Sequence, residues 1–276
     1  VTQETPPDPF NQGQFLDEMD QQLAGWADPV ARLREALSRN ELVLYCQPIL
    51  DMGAATHFPM GEVLVRMREE EAALLPPGEF FPVFEHYRML PDLDRWVVSH
   101  VVTRLSRGSR IPRLIVNVSG QSLEDPGFAK FVASALVEAT LQASSLIFEI
   151  DEADVLHRSE HAARFAAAVR AIGCAVSIDG FGARAVSFAP LKGLRADFLK
   201  VDGSIVRNVL RSSVALAKLQ AIVRVGETIG FGVVAECVED RDVQARLKAL
   251  GVRFAQGFGI HEPQPLDALL GVPPAA

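Results

Sequence analysis

Short apolar, β-branched runs alternate along this chain with longer stretches whose apolar residues recur at helical spacing. The runs are "LVLYCQPIL" (42–50), "EVLVRM" (62–67), "RLIVNVS" (113–119), "SLIFEID" (145–151), "CAVSID" (174–179), "DFLKVD" (197–202), "GVVAECV" (232–238) and "VRFAQGF" (252–258). Helical periodicity fills most of the intervals, at 78–107, 126–140, 153–172, 203–229 and 239–250. A further helix opens at "DPVARLREALSRN", with Asp28 as N-cap and Pro29 in the first turn. This alternation predicts an α/β fold with a mainly parallel sheet. Eight strands in a chain of 276 residues suit a TIM-like (β/α)8 barrel; a doubly wound open sheet is the alternative. The link between the first two strands is too short and polar for a helix, so that pair is expected to be antiparallel. If strand two is the reversed one, its start shares a rim with the ends of the others.

Residues 1–28 are polar and Pro-punctuated. They read as a linker and a short amphipathic helix, "FLDEMDQQLAGW", leading into a barrel unit at 29–276 and suggesting an upstream domain. The hydrophobic fraction of 49% is ample for a large core. The net charge of −8 argues against binding a nucleic acid polymer, which runs on Lys and Arg neutralising phosphates. A local basic site for a small phosphate ligand is still compatible with it. Cys46, Cys174 and Cys237 are few, odd in number and far apart, which reads as free thiols in a reducing cytoplasm. No apolar run approaches the ~20 residues that span a bilayer, and no signal pattern opens the chain. The expectation is a cytoplasmic chain without membrane contact.

Candidate chemistry lies near the strand ends. Glu62 sits near the start of strand two, and Asn117, Glu149, Asp179, Lys200, Glu236 and Gln256 stand on the later strands. A polar residue inside an apolar strand is costly to bury unless paired or liganded. One such residue is a core hydrogen bond; seven at matching positions converge on the rim where barrel enzymes work. Glu62, Asn117, Glu149, Asp179 and Glu236 form a hard oxygen set suited to Mg²⁺ or Mn²⁺. Lys200 is placed to orient a water. Such a site suits metal-assisted hydrolysis of a phosphodiester.

These residues lie in motifs that resemble the EAL-domain proteins, the bacterial cyclic di-GMP phosphodiesterases and their inactive receptor relatives. The matching pieces are "LYCQPI", "EVLVRM" in place of E-A-L-x-R-W, "PPGEFFPVFEHYRMLPDLDRWVV", "IVNVSGQSLEDPGF", "FEIDEADVL", "SIDGFG", "LKVDGSIV", "VVAECVE" and "ALGVRFAQGF". They cover roughly residues 30–270. The resemblance implies a first metal ion on Glu62, Asn117, Glu149 and Asp179. It implies a second on Asp179, the acid that normally follows it, and Glu236. Glu62, Lys200 and Glu236 are thereby implicated in catalysis, and Glu152 as the anchor of a neighbouring loop. The resemblance also places the nucleotide on Gln47, Leu64, Arg66 and Asp94, with Arg66 on a phosphate and Asp94 on a guanine edge. Gln256 is either a nucleotide contact or a strand cap.

The departures bear on activity. Gly180 stands where the family carries its second acid, so that metal-ligand position is lost. The following loop reads "GFGARAVSF" where the family has D-F-G-T-G-Y-S-S-L. Val63, Met67 and Cys237 also depart from the family's Ala, Trp and Gly. Three readings follow. The first is a cyclic di-GMP receptor on a degenerate barrel with little or no hydrolysis. The second is a metal-dependent phosphodiesterase producing linear pGpG. The third is a protein-interaction scaffold that no longer binds nucleotide. Family barrels often dimerise, so a homodimer is among the expected partners.

Blander readings attach to other residues. Asp94 can instead be the N-cap of the "RWVVSHVV" helix, and Arg66 a rim ion-pair residue. His157 and His161 have metal-compatible spacing without a third ligand, and read as a solvated helix face. "NVS" at 117–119 lies in a strand, which argues against a glycosylation acceptor. Trp26 and Trp96 read as packing residues and Arg184 as an exposed loop charge.

Overall fold

A computed structural model describes residues 28–39, 41–53, 58–68, 74–75, 77–184 and 186–271. The linker and amphipathic helix expected within residues 1–28, and Trp26 with them, lie outside the described residues except for Asp28.

Eight strands close into a barrel: β1 (Leu42–Asp51), β2 (Met60–Arg68), β4 (Leu114–Asn117), β5 (Leu146–Asp151), β6 (Ala175–Phe181), β7 (Phe198–Val201), β8 (Gly232–Ala235) and β9 (Phe254–Ala255). β1 closes the ring by pairing with both β2 and β9. That closure excludes the doubly wound alternative. Two short strands lie outside the ring: β3 (Leu74–Leu75) on β2 and β10 (Gln264–Pro265) on β1. The first strand pair is antiparallel, with Gln47 opposite Glu62. The reversed member is β1, however, since β2 runs parallel to β4. The conditional reading of strand two as the reversed strand is therefore corrected.

Helices cover the barrel wall. The chain starts on α1 (Pro29–Ser38), where Asp28 accepts from the Ala31 N–H at 2.9 Å. Three predicted helices are each divided. Residues 78–107 form α2 (Pro77–His86) and α3 (Leu90–Leu105), broken at Arg88 (φ 54°) ahead of Pro91. Pro91 sits in the first turn of α3, where its missing N–H leaves no bond unmade. Asp94 thus lies inside α3 and is not its N-cap. After α4 (Gly120–Leu123) and α5 (Phe128–Glu138), residues 153–172 divide into α6 (Glu152–His157) and α7 (Ser159–Ile172). His157 and His161 are consequently on different helices. Residues 203–229 divide into α8 (Gly203–Arg207) and α9 (Ser213–Ile229), where Ser212 caps the Ala215 N–H. The wall ends with α10 (Arg241–Ala249) and α11 (Leu266–Leu270). No helix among the described residues is long and apolar enough to cross a membrane.

The core has two parts. The larger packs helices against the outside of the barrel; the smaller fills its interior with Ile49, Met60, Ile115, Ile147, Phe198, Val234 and Phe254. Side chains alternate across a strand, so the next inward position lies two residues away. From each member of the apolar layer that step leads to a polar one: Gln47, Glu62, Asn117, Glu149, Lys200, Glu236 and Gln256. The apolar layer is thus the floor of a polar one. Ile147 is fully buried, whereas Val137 on α5 is 79% exposed. Ile147→Ala is expected to cost about 2–5 kcal/mol, and Val137→Ala to stay within about 0.5 kcal/mol. Urea unfolding measures both, and equal costs would contradict the layer assignment.

Candidate functional site

The centre of the polar layer is the ammonium of Lys200, a residue with no exposed surface. Its Nζ lies 2.7 Å from Glu149 Oε1, 2.9 Å from Glu62 Oε2, 3.0 Å from Glu236 Oε1 and 3.3 Å from Asp179 Oδ1. β2, β5, β6 and the residue after β8 thereby present carboxylates to one ammonium on β7. Amide side chains complete the layer. Asn117 Nδ2 donates to Glu62 Oε1 at 3.0 Å. Gln256 Nε2 donates to Glu62 Oε2 at 2.7 Å and to Gln47 Oε1 at 3.1 Å. Gln47 in turn donates to the carbonyl of His261 at 3.0 Å. Among the residues proposed for metal, catalysis and nucleotide, these eight form one network.

Burial pushes the Glu149 carboxyl well above its ordinary value; Lys200 opposes the shift, and Glu62 and Asp179 add to it. Burial likewise lifts Glu236 to about 8 against the pull of Lys200, with Asp179 and Glu62 adding. Burial also raises Glu62, but Lys200 and the amides of Asn117 and Gln256 outweigh it and hold that carboxyl below its ordinary value. Burial pulls the Lys200 ammonium down, and the four surrounding acids overcome it and keep the proton well above the usual range. Glu149 and Glu236 therefore hold their protons more tightly than free carboxyls, which relieves the excess negative charge around Lys200.

The donor set is chemically suited to a hard divalent cation. Among the described residues Glu149 Oε2 is buried without a hydrogen-bond partner, Asp179 Oδ1 has only the longer ion pair to Lys200, and four acids face one lysine. Among the described residues, no three His, Cys, Asp or Glu are already arranged as a metal cage. The reason is geometric: the carboxylates converge on Nζ of Lys200.

The remaining candidates sit around this layer. Leu64, on the inward face of β2, lines a cavity of about 350 Å³ with Asp94, Asn117 and Ser119. Asp94 is buried, and its Oδ2 accepts from the Ser119 N–H and from the hydroxyls of Ser119 and Ser122 at 2.7–2.9 Å. Burial raises its carboxyl despite these donors. Arg66 lies further along β2, outside that cavity lining, and donates to the Val65 carbonyl at 2.9 Å. No carboxylate partner of Arg66 is found among the described residues. Glu152 accepts from the Gly182 N–H at 3.1 Å. Trp96 stacks on His100 with ring centroids 3.8 Å apart. Gly180 adopts φ +67°, and a Cβ there would meet nothing nearer than Asp151 Oδ2 at 4.0 Å.

Sequence reasoning missed Asp151, Ser177 and His261. Asp151 pairs in register with Asp179 and lines the 350 Å³ cavity. Ser177 is fully buried, and its hydroxyl has no hydrogen-bond partner among the described residues. Both share the inward parity of Glu149 and Asp179, a signal available in the sequence. The carbonyl contact of His261 had none.

A model of the EAL domain matches residues 30–263. The chain belongs to the EAL domain family. This EAL barrel is 30% identical over 265 residues to cyclic di-GMP phosphodiesterase PdeB of Shewanella oneidensis, covering 93% of this chain and 31% of the relative. It is 32% identical over 247 residues to cyclic di-GMP phosphodiesterase PdeF of Escherichia coli, covering 88% and 33%. The chain thus spans about a third of the length of these curated relatives. Among solved structures, the PaMucR phosphodiesterase in complex with c-di-GMP superposes with a TM-score of 0.80 at 30% identity, covering 88% of this chain and 99% of that one. The FimX EAL domain of Pseudomonas aeruginosa bound to c-di-GMP gives a TM-score of 0.80 at 28% identity, covering 86% and 97%.

The raised Glu236 carboxyl sets a pH dependence. The folded state of this EAL barrel holds that proton more tightly than the unfolded chain. In chelator, stability is therefore expected to fall as pH rises from near 4.5 to about 8. Glu236→Gln should flatten that slope in urea titrations. An unchanged slope would place the titration elsewhere in the cluster.

Proposed function

We propose that this EAL barrel binds cyclic di-GMP at its polar rim as a signalling receptor, with hydrolysis strongly weakened. The observation that carries the reading is Gly180. β6 delivers Asp179 inward and then turns at φ +67° without a second acid. EAL phosphodiesterases depend on divalent metal. Here Glu62, Asn117, Glu149 and Asp179 would hold one cation, and Asp179 with Glu236 would be left for a second. Such cations, when bound, supply charge neutralisation at the phosphodiester and activation of water. Loss of one ligand from a paired site costs several kcal/mol of transition-state stabilisation, a rate factor of about 10³ at ~1.4 kcal/mol per tenfold.

Ground-state binding draws on separable contacts. Leu64 and Asp94 line the cavity beside Asn117. Asp94 commits Oδ2 to the serines, which leaves Oδ1 for a guanine edge. Arg66 would supply a charge-assisted phosphate contact. Gln256 braces Glu62, and Gln47 in turn accepts from Gln256. We take residues 29–276 as the barrel unit, with residues 1–28 leading into it.

A second reading, a metal-dependent phosphodiesterase making pGpG, is favoured by Glu149 Oε2, buried without a hydrogen-bond partner among the described residues. Chromatography of cyclic di-GMP after incubation in Mn²⁺ separates the two. The unmodified protein is expected to bind the nucleotide and leave it intact; multiple turnovers to pGpG would overturn the receptor reading. Arg66→Ala is expected to weaken binding tenfold or more, as loss of a charge-assisted hydrogen bond of about 1.5–3 kcal/mol implies; unchanged affinity would remove Arg66 from the pocket.

Gly180→Asp tests the charge argument. The site has room for the side chain, and Asp tolerates a left-handed backbone better than most residues. The new carboxylate would face Asp151 and Asp179. In chelator the variant is expected to melt below the unmodified protein, and Mn²⁺ should raise its melting temperature more. Equal shifts with metal in both proteins would show that residue 180 does not reach the cation.

A further inference from the structure

The residue after Phe181 is held by two opposite charges. The Gly182 N–H donates to Glu152 at the start of α6, at 3.1 Å. The Gly182 carbonyl accepts from Lys218 Nζ, on α9, at 3.2 Å. The backbone there is otherwise tightly enclosed. Gly182 has φ +85°, and a Cβ would lie 3.0 Å from Ile205 of α8, 3.3 Å from Val186 and 3.5 Å from Ile222 of α9. The Phe181 ring packs on Phe188, with centroids 5.3 Å apart. Three residues upstream of Gly182 stands Asp179, a partner of Lys200.

Lys218 is the unexpected member. A helix lysine ordinarily carries its ammonium into water and orders it only for a specific return. Lys218 has no carboxylate partner among the described residues. It is half-buried on the turn of α9 that carries Leu219 and Ile222, both fully buried, and aims at a main-chain carbonyl 36 residues away in sequence. A charged donor on a carbonyl is one of the stronger hydrogen bonds. Its geometric effect is to join α9, a helix of 17 residues, to the segment that follows Asp179.

We infer that Lys218 is a positioning residue: it pins the Gly182 carbonyl so that the position of α9 fixes the loop beyond Asp179, and with it the rim where the nucleotide is proposed to bind. Glu152 holds the amide side of the same residue, so the two charges clamp Gly182 from neighbouring faces of the barrel wall. A shift of α9 along its axis would reach the site through this bond. The effect on the nucleotide rests on the receptor reading; the pin itself does not.

The test uses Lys218→Met, which keeps the aliphatic stem, and Lys218→Arg, which keeps the donor. Hydrogen exchange of the nucleotide-free protein reads the pin, and cyclic di-GMP affinity reads its consequence. Lys218→Met is expected to speed exchange at residues 181–184 and to weaken cyclic di-GMP binding about fivefold, the size of coupling carried by a single linking residue. Its urea midpoint should stay near that of the unmodified protein. Lys218→Arg should restore both readouts. Unchanged exchange at 181–184 in Lys218→Met would overturn the inference. So would faster exchange across the whole barrel with a lowered midpoint, which marks a purely structural role, or faster loop exchange with unaltered affinity. If the unmodified protein fails to bind cyclic di-GMP, the receptor reading falls, and loop exchange with rescue by Lys218→Arg still decides whether the pin exists.

Discussion

The structure turns on one buried ammonium. Lys200 has no exposed surface and touches carboxylates from β2, β5, β6 and the end of β8. Neither the lysine nor the acids can be buried alone, because taking an isolated charge out of water costs several kcal/mol that only close partners offset. The barrel is therefore tied across its interior as well as around its wall. A register slip of one residue in any of these strands would swap an acid for an apolar neighbour. The apolar floor of Ile115, Ile147, Phe198 and Val234 keeps water from below, which strengthens each contact above it.

That arrangement explains how recognition and chemistry separate on one rim. The acids and Lys200 occupy the middle of the barrel. The cavity of Leu64 and Asp94 lies toward β2 and α3, and it meets the loop after β6 only at Asp151, the side chain nearest Gly180. Asp94 is held by Ser119, the N-cap of α4, and by Ser122 within that helix, so a binding group is positioned by the residues that start a helix. Changes at Gly180 or in residues 183–188 leave those contacts untouched. A barrel of this design can shed turnover while keeping a ligand.

Much of this was legible in the sequence, because a barrel places its chemistry by parity. Reading two residues beyond each apolar inward position leads directly to Glu62, Asn117, Glu149, Lys200, Glu236 and Gln256. The antiparallel first pair followed from a short polar link. Which of the two strands was reversed did not, since that depends on closure with β9, a pairing more than 200 residues away in sequence. Helix breaks at Arg88, Arg158 and Asn208–Ser212 were hidden by apolar spacing that continues across each of them. Pro91 and Ser212 were their faint local signals. The partner of Lys218 is a backbone carbonyl, which no residue type reveals.

Gly180 and Gly182 differ in what demands them. Gly182 is sterically required: a side chain at φ +85° would press on Ile205 and Val186. Gly180 has a left-handed φ of +67° but open space around it, since the nearest neighbour of a side chain would be a carboxylate oxygen 4.0 Å away. Steric packing therefore does not exclude a side chain there; the left-handed backbone and the electrostatics each favour its absence. An acid there would join Asp151, Asp179 and Glu152 on a rim whose own lysine is already shared among four carboxylates. Without a second cation that placement adds repulsion and nothing to balance it. A glycine at 180 is what this charge distribution tolerates when the cluster is neutralised from within, by Lys200 and by retained protons.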